Sequence, residues 1–74
     1  MSMTDRLNLL VGLYVVVQYN GSALFTIRGR LNRPHKVTYQ VSIGDAIVTF
    51  GAEDVGVLDL DGEALPVIRL KIPV

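Results

Sequence analysis

From Lys36 to Ile43 the chain alternates, with Val37, Tyr39, Val41 and Ile43 on one side and Lys36, Thr38, Gln40 and Ser42 on the other. Period-two alternation predicts a strand with one buried face. Gly44-Asp45 then supplies a two-residue turn, and the register it implies sets Ile43 against Ala46, Val41 against Val48 and Tyr39 against Phe50. All of these pairs are apolar. Ser42 and Gln40 meet Ile47 and Thr49 on the opposite side, so turn chemistry and binary pattern agree.

A second hairpin is predicted between Gly12 and Leu31, around Asn20-Gly21. A type I′ turn requires positive φ at both central positions, which Asn tolerates and Gly adopts freely. That turn sets Tyr19 against Ser22, Val17 against Leu24, Val15 against Thr26 and Tyr14 against Ile27. The core face is then Tyr14, Val16, Ala23, Phe25, Ile27 and Leu31. The other face keeps Leu13, Val15, Val17, Tyr19 and Leu24 among Thr26, Arg28 and Arg30, so the first strand is apolar on both sides and its outside needs cover. A three-residue loop with a glycine bulge fits the same residues and swaps the faces, because a one-residue slip inverts every side chain.

Around these hairpins the pattern predicts shorter elements. Residues 2 to 11 read as a short helix, with Ser2 or Thr4 as cap, Asp5 in the first turn, and Leu7, Leu10 and Val11 on one face. Gly12 ends it in a left-handed conformation, and the helix covers part of the first strand's outer face. Asn32-Arg33-Pro34-His35 interrupts the second strand, since Pro34 donates no ladder hydrogen bond. Gly51-Ala52-Glu53-Asp54 reads as a tight or 3₁₀ turn. Val55 to Leu60 is a weak strand, Asp61-Gly62 a third turn, and Leu65 to Ile72 a last strand, with Ile68, Leu70 and Ile72 on one face and Val67, Arg69 and Lys71 on the other. Pro66 places that strand at an edge. Short strands, tight turns and one terminal helix predict an all-β fold: a small, strongly bent, five-stranded antiparallel barrel spanning residues 1–74 as one domain.

Composition changes this picture in one respect. With 74 residues and no cysteine, a single core is only marginally sufficient and nothing staples it, yet 50% of the residues are hydrophobic. That excess points to buried surface between subunits. Lack of cysteine also removes thiol nucleophiles and thiolate metal sites, and agrees with a cytoplasmic location. The apolar run from Leu7 to Val17 is too short and interrupted to span a bilayer, and Asp5 spoils it as an export signal. No membrane partner is expected.

Charge is sorted along the chain. Arg28, Arg30, Arg33, His35 and Lys36 crowd together, whereas Asp45, Glu53, Asp54, Asp59, Asp61 and Glu63 fill the second half. As a ligand site, Arg30, Arg33, His35 and Lys36 would form a phosphate-binding edge for single-stranded RNA. As a solvated strand end the cluster needs no ligand, and zero net charge with no adjacent exposed aromatic platform favours that simpler reading. The single histidine has no convergent carboxylates for a metal site, and the acidic pairs lack the burial that makes a general acid. No glycine-rich stretch joins a strand to a helix as nucleotide loops do. An enzyme, a cofactor and a small-molecule substrate are therefore not expected. Tyr14, Tyr19 and Tyr39 are read as packing residues.

The order of parts resembles the Sm-like family of small β-barrels. Leu7, Leu10, Gly12, Val15, Val17, Tyr19 and Gly21 are similar to its helix leucines, glycine, alternating strand and turn glycine. Gly29-Arg30-Leu31 resembles its Gly-x-Leu, and Val67-Ile68-Arg69-Leu70 its second motif, with Leu70 where a glycine belongs. His35 and Tyr39 stand at the family's Asp…Asn pair and Val37 at its stacking aromatic. The resemblance implies a ring of identical subunits that commonly binds RNA. A structural ring that meets proteins only, or an SH3-like interaction module, is the alternative. The ring reading takes Val15, Val17, Val67, Arg69, Leu70 and Lys71 as the subunit interface, with the last strand adding to a neighbour's sheet.

Overall fold

The computed structural model describes residues 1–19, 22–61 and 65–71, with residues 22–25 described by their backbone. Its elements are α1 (Met3–Asn8), β1 (Tyr14–Tyr19), β2 (Ser22–His35), β3 (Thr38–Ile43), β4 (Ala46–Phe50), a 3₁₀ turn (Ala52–Asp54), β5 (Val55–Asp59) and β6 (Val67–Leu70). The strands form one sheet in the order β4-β3-β2-β1-β6-β5. The chain is all-β with one short helix, as its pattern predicts. Among the described residues it departs from a five-stranded antiparallel barrel in three ways: there are six strands, β1 and β6 run parallel, and β4 and β5 are edges with no further partner strand. β6 lies between β5, which it meets antiparallel, and β1, which it meets parallel. The last strand is thus interior, with Pro66 just ahead of it, its carbonyl accepting from Val16 N–H at 2.9 Å.

Although open, the sheet is strongly curled. The edge strands β4 and β5 are joined by residues 51–54 alone, a link that reaches at most about 18 Å. A flat sheet would separate those edges by about 24 Å. Likewise, β2 as a straight strand of 14 residues would reach about 43 Å, whereas no axis of the molecule exceeds 29 Å. Gly29 serves this bend. A Cβ there would stand 2.5 Å from the Ser42 carbonyl oxygen, so only glycine lets β2 approach β3 this closely.

Curling brings one face of every strand together. Val15, Val17, Ile27, Leu31, Tyr39, Val41, Phe50, Val55, Leu58, Ile68 and Leu70 join Leu7 and Leu10 in one buried cluster. The helix begins at a capping box, Ser2 Oγ accepting from Asp5 N–H at 3.1 Å, and ends at Asn8, short of the predicted span. Leu7 and Leu10 cover the core and Val11 stays outside. Tyr39 ties helix to sheet, its hydroxyl donating to Asn8 Oδ1 at 2.7 Å while its ring stacks on Phe50. The helix therefore closes the inner side of the sheet and leaves the outer face of β1 uncovered.

The β3–β4 register is the one that Gly44-Asp45 predicts, pair for pair. The β1–β2 register is different. Tyr19 pairs with Ser22, but Gln18 pairs with Thr26, Val17 with Ile27 and Tyr14 with Arg30. Three residues of β2 have no counterpart in β1, and an odd slip inverts the face. Val15 and Val17 consequently point into the core beside Ile27 and Leu31, while Tyr14 is 57% exposed. The expected inward placement of Tyr14 and Val16 is thus corrected. The turn residues Asn20 and Gly21, the side chains of Ala23, Leu24 and Phe25, and Gly62 and Ile72 lie outside the described features. Pro34 does not end β2: it falls within the register shift between Asn32 and His35, where a ladder tolerates a missing donor.

Candidate functional site

Along β2 the burial alternates, with Ile27, Gly29 and Leu31 inside and Arg28 and Arg30 outside. The two arginines are thereby set side by side on the outer face. Cross-strand pairing puts Tyr14 of β1 and Ser42 of β3 on either side of Arg30. The Arg30 guanidinium lies 5.4 Å from the Tyr14 ring centroid, and Tyr14, Arg28, Gly29, Arg30, Ser42 and Ile43 line a cleft of about 460 Å³. Among the described residues, neither Arg28 nor Arg30 forms an ion pair, and Arg69 with Asp59, at 3.9 Å, is the pair that does. Among the described residues no carboxylate lines the cleft.

The other basic residues sit elsewhere. Arg33, His35 and Lys36 occupy the far end of β2 and its turn into β3. Arg33 is committed there. It donates from Nε and Nη2 to the Lys36 carbonyl at 3.1 and 2.7 Å, and its guanidinium covers the Tyr39 ring at 5.8 Å. The four residues expected as one phosphate-binding edge are therefore split: Arg30 joins Arg28 and Tyr14, and the remaining three form a hairpin tip. Val37, at the position of the family's stacking aromatic, is 76% exposed at that tip.

The residues expected at a subunit interface divide too. Val15, Val17 and Leu70 are buried in this chain's own core, so their burial calls for no neighbour. Val67 and Arg69 on β6 are half-buried, and Lys71, just past its end, is exposed. That strand is hydrogen-bonded on both sides, so the expected addition of the last strand to a neighbouring sheet is corrected: the free edges are β4 and β5.

Among the described acidic residues, Asp54 and Asp59 bond to backbone groups close to them in the chain. Asp54 Oδ2 accepts from Gly51 N–H at 2.9 Å and closes the 3₁₀ turn, and Asp59 Oδ1 accepts from Asp61 N–H at 3.1 Å. Among the described residues no group of histidines and carboxylates converges on a metal position, and no helix is long and apolar enough to cross a membrane. Sequence reasoning missed Tyr14 and Arg28 as site residues. The signal was present in the alternative bulged register, which turns Tyr14 outward to the arginines. Comparison with protein-family models, curated proteins and solved structures finds no match for this chain.

Proposed function

We propose that the chain is an Sm-like assembly module whose copies join head to tail through the free edges β4 and β5 into a closed ring. The observation that carries this reading is the chemistry of those edges. Sheets that must stay apart blunt their edges with lysine, proline or inward charge. Neither edge carries lysine or proline: β4 reads AIVTF, and β5, which bulges between Val55 and Val57 and ends in Asp59, reads VGVLD. Ile47 on β4 is 61% exposed and Val57 on β5 is 42% exposed. Among the described residues each edge thus has no partner strand on its outer side and carries an exposed apolar side chain. Two different edges meeting make a heterologous contact, which closes into a ring or grows into a filament. Hydrophobic contact and main-chain pairing supply the association energy, and charges at the rim contribute orientation more than strength.

Single-stranded RNA on Arg30, Arg33, His35 and Lys36, the partner implied by the resemblance, has less support. Those residues share no common surface, and assembly needs none of them. A structural ring is accordingly the primary reading. Sedimentation and light scattering test it: the chain should run as a discrete oligomer at about micromolar concentration and above. Ile47→Lys and Val57→Lys, both exposed, should each release folded monomers. A monodisperse monomer for the unaltered chain would refute the ring.

A further inference from the structure

Among the described residues, two guanidiniums with no carboxylate partner stand beside an exposed phenol ring. We propose that the outer-face cleft binds a nucleotide unit, with its phosphate on Arg28 and Arg30 and its base over Tyr14. The inference concerns a cleft within one chain and does not rest on ring assembly.

Three features point to this ligand class. Arginine presents a planar fork of donors matched to phosphate oxygens, and two such forks stand two residues apart on one strand face, with no carboxylate among the described residues that line the cleft. Tyr14 is more than half exposed and is held by Arg30 on the ring, so it offers a supported stacking surface of the kind that binds bases. Ser42 adds a hydroxyl at the border, able to donate to a phosphate or to a sugar. The cleft, about 460 Å³, is open to solvent, so a strand crossing the sheet could reach it without any rearrangement. An acidic peptide would engage the guanidiniums and leave Tyr14 unused. A nucleotide uses both. Its source is either a free mononucleotide or one residue of a single strand crossing the sheet.

Titration of the full chain, followed by amide resonances, separates the possibilities. Adenosine and uridine 5′-monophosphates should perturb residues 14, 28–30 and 42 at low salt, whereas the unphosphorylated nucleosides should not. Inorganic phosphate should bind about tenfold more weakly than the nucleotides, because it forfeits the stack. Arg28→Ala and Arg30→Ala, both at exposed positions, should abolish the response with the spectrum otherwise folded, and Tyr14→Ala should weaken it about tenfold. A single-stranded hexanucleotide that binds much more tightly than either mononucleotide, with affinity falling as salt rises, identifies a strand as the source. Equal affinity per unit identifies the free nucleotide. The proposal is overturned if neither mononucleotide nor strand perturbs the cleft, if inorganic phosphate binds as well as the nucleotides, or if the arginine variants bind unchanged. It is also overturned if those variants instead disperse an oligomer, since the cleft would then hold carboxylates of a second copy. Running the titration on the Val57→Lys variant keeps the two ideas apart, because that change alters the β5 edge, at the opposite end of the strand order from the cleft.

Discussion

The β1–β2 and β3–β4 hairpins are built from similar residues and obey different rules. In β3–β4 the pairing runs without interruption from Ile43 with Ala46 to Tyr39 with Phe50. In β1–β2 the ladder breaks between Gln18 and Tyr19 and resumes three residues on. The difference lies in the first strand of each. β3 carries polar Thr38, Gln40 and Ser42 on one face, so any odd slip would bury them and is heavily disfavoured. β1 carries Tyr14 and Val16 on one face and Val15 and Val17 on the other, and its pattern tolerates either face inward. What decides between them is three-dimensional. With Val15 and Val17 inside, the inner row continues into Ile27 on β2 and Ile68 on β6, while Gln18 and Tyr14 stay out.

The largest expected effect tests that choice directly. Val17→Asp places an unpaired carboxylate at a position with 0% exposure and should cost about 3–5 kcal/mol, enough to unfold a small domain whose whole stability is of that order. Val16→Asp, one residue away and opposite Arg28, should cost about 1 kcal/mol or less, because a cross-strand opposite charge offsets part of the lost apolar contact. Urea denaturation of the two variants gives the comparison. If Val16→Asp is the more damaging, β1 faces the other way.

Glycines give the next pair. Gly29→Ala forces a Cβ against the Ser42 carbonyl and should destabilise by about 1–3 kcal/mol, the range for overpacked sites. Gly44→Ala in the β3–β4 turn meets nothing within 4 Å but keeps a φ of +56°, so it should cost about 1–2 kcal/mol from backbone strain alone. Thermal melts of both, with Gly44→Asn as a residue that tolerates positive φ, separate crowding from strain: asparagine should recover much of the turn's loss. Smaller again, Tyr39→Phe removes the hydroxyl that holds Asn8 at 2.7 Å and should cost about 1 kcal/mol, read in the same melts.

How much of this was legible before the fold was known follows from the same contrast. The β3–β4 register, the Ser2 cap, the Gly12 turn with its φ of +92°, the 3₁₀ turn and the shared face of Ile68 and Leu70 were all written locally, in turn residues and alternation. The face of β1 was not, because its apolar pattern is symmetric, and the turn rule holds only for the pair next to the turn. Error in that one register carried further. It hid Tyr14 inside a presumed core, so Arg28 and Arg30 had no aromatic beside them, and it offered Val15 and Val17 as spare surface for a neighbour. The place of β6 was also beyond local reading. Pro66 suggests an edge, yet strand order is set by what the curled sheet must cover, and only the assembled core shows β6 between β1 and β5.

The smallest expected effect sharpens the contrast from the other side. If β1 lacks only a polar face to match β3, then Val16→Thr supplies one at no structural loss. Val16 is half-buried on the outer face, threonine shares the β-branched shape that strands favour, and its hydroxyl can reach water there. Stability should change by no more than about 0.5 kcal/mol. The same substitution at Val17 buries a hydroxyl among apolar neighbours at 0% exposure and should cost about 1–3 kcal/mol. Urea midpoints measure the two costs, and the amide spectrum of Val16→Thr should superimpose on that of the unaltered chain. Equal costs at the two positions would mean that β1 has no distinct inside, and the inverted face described for this strand would have to be given up.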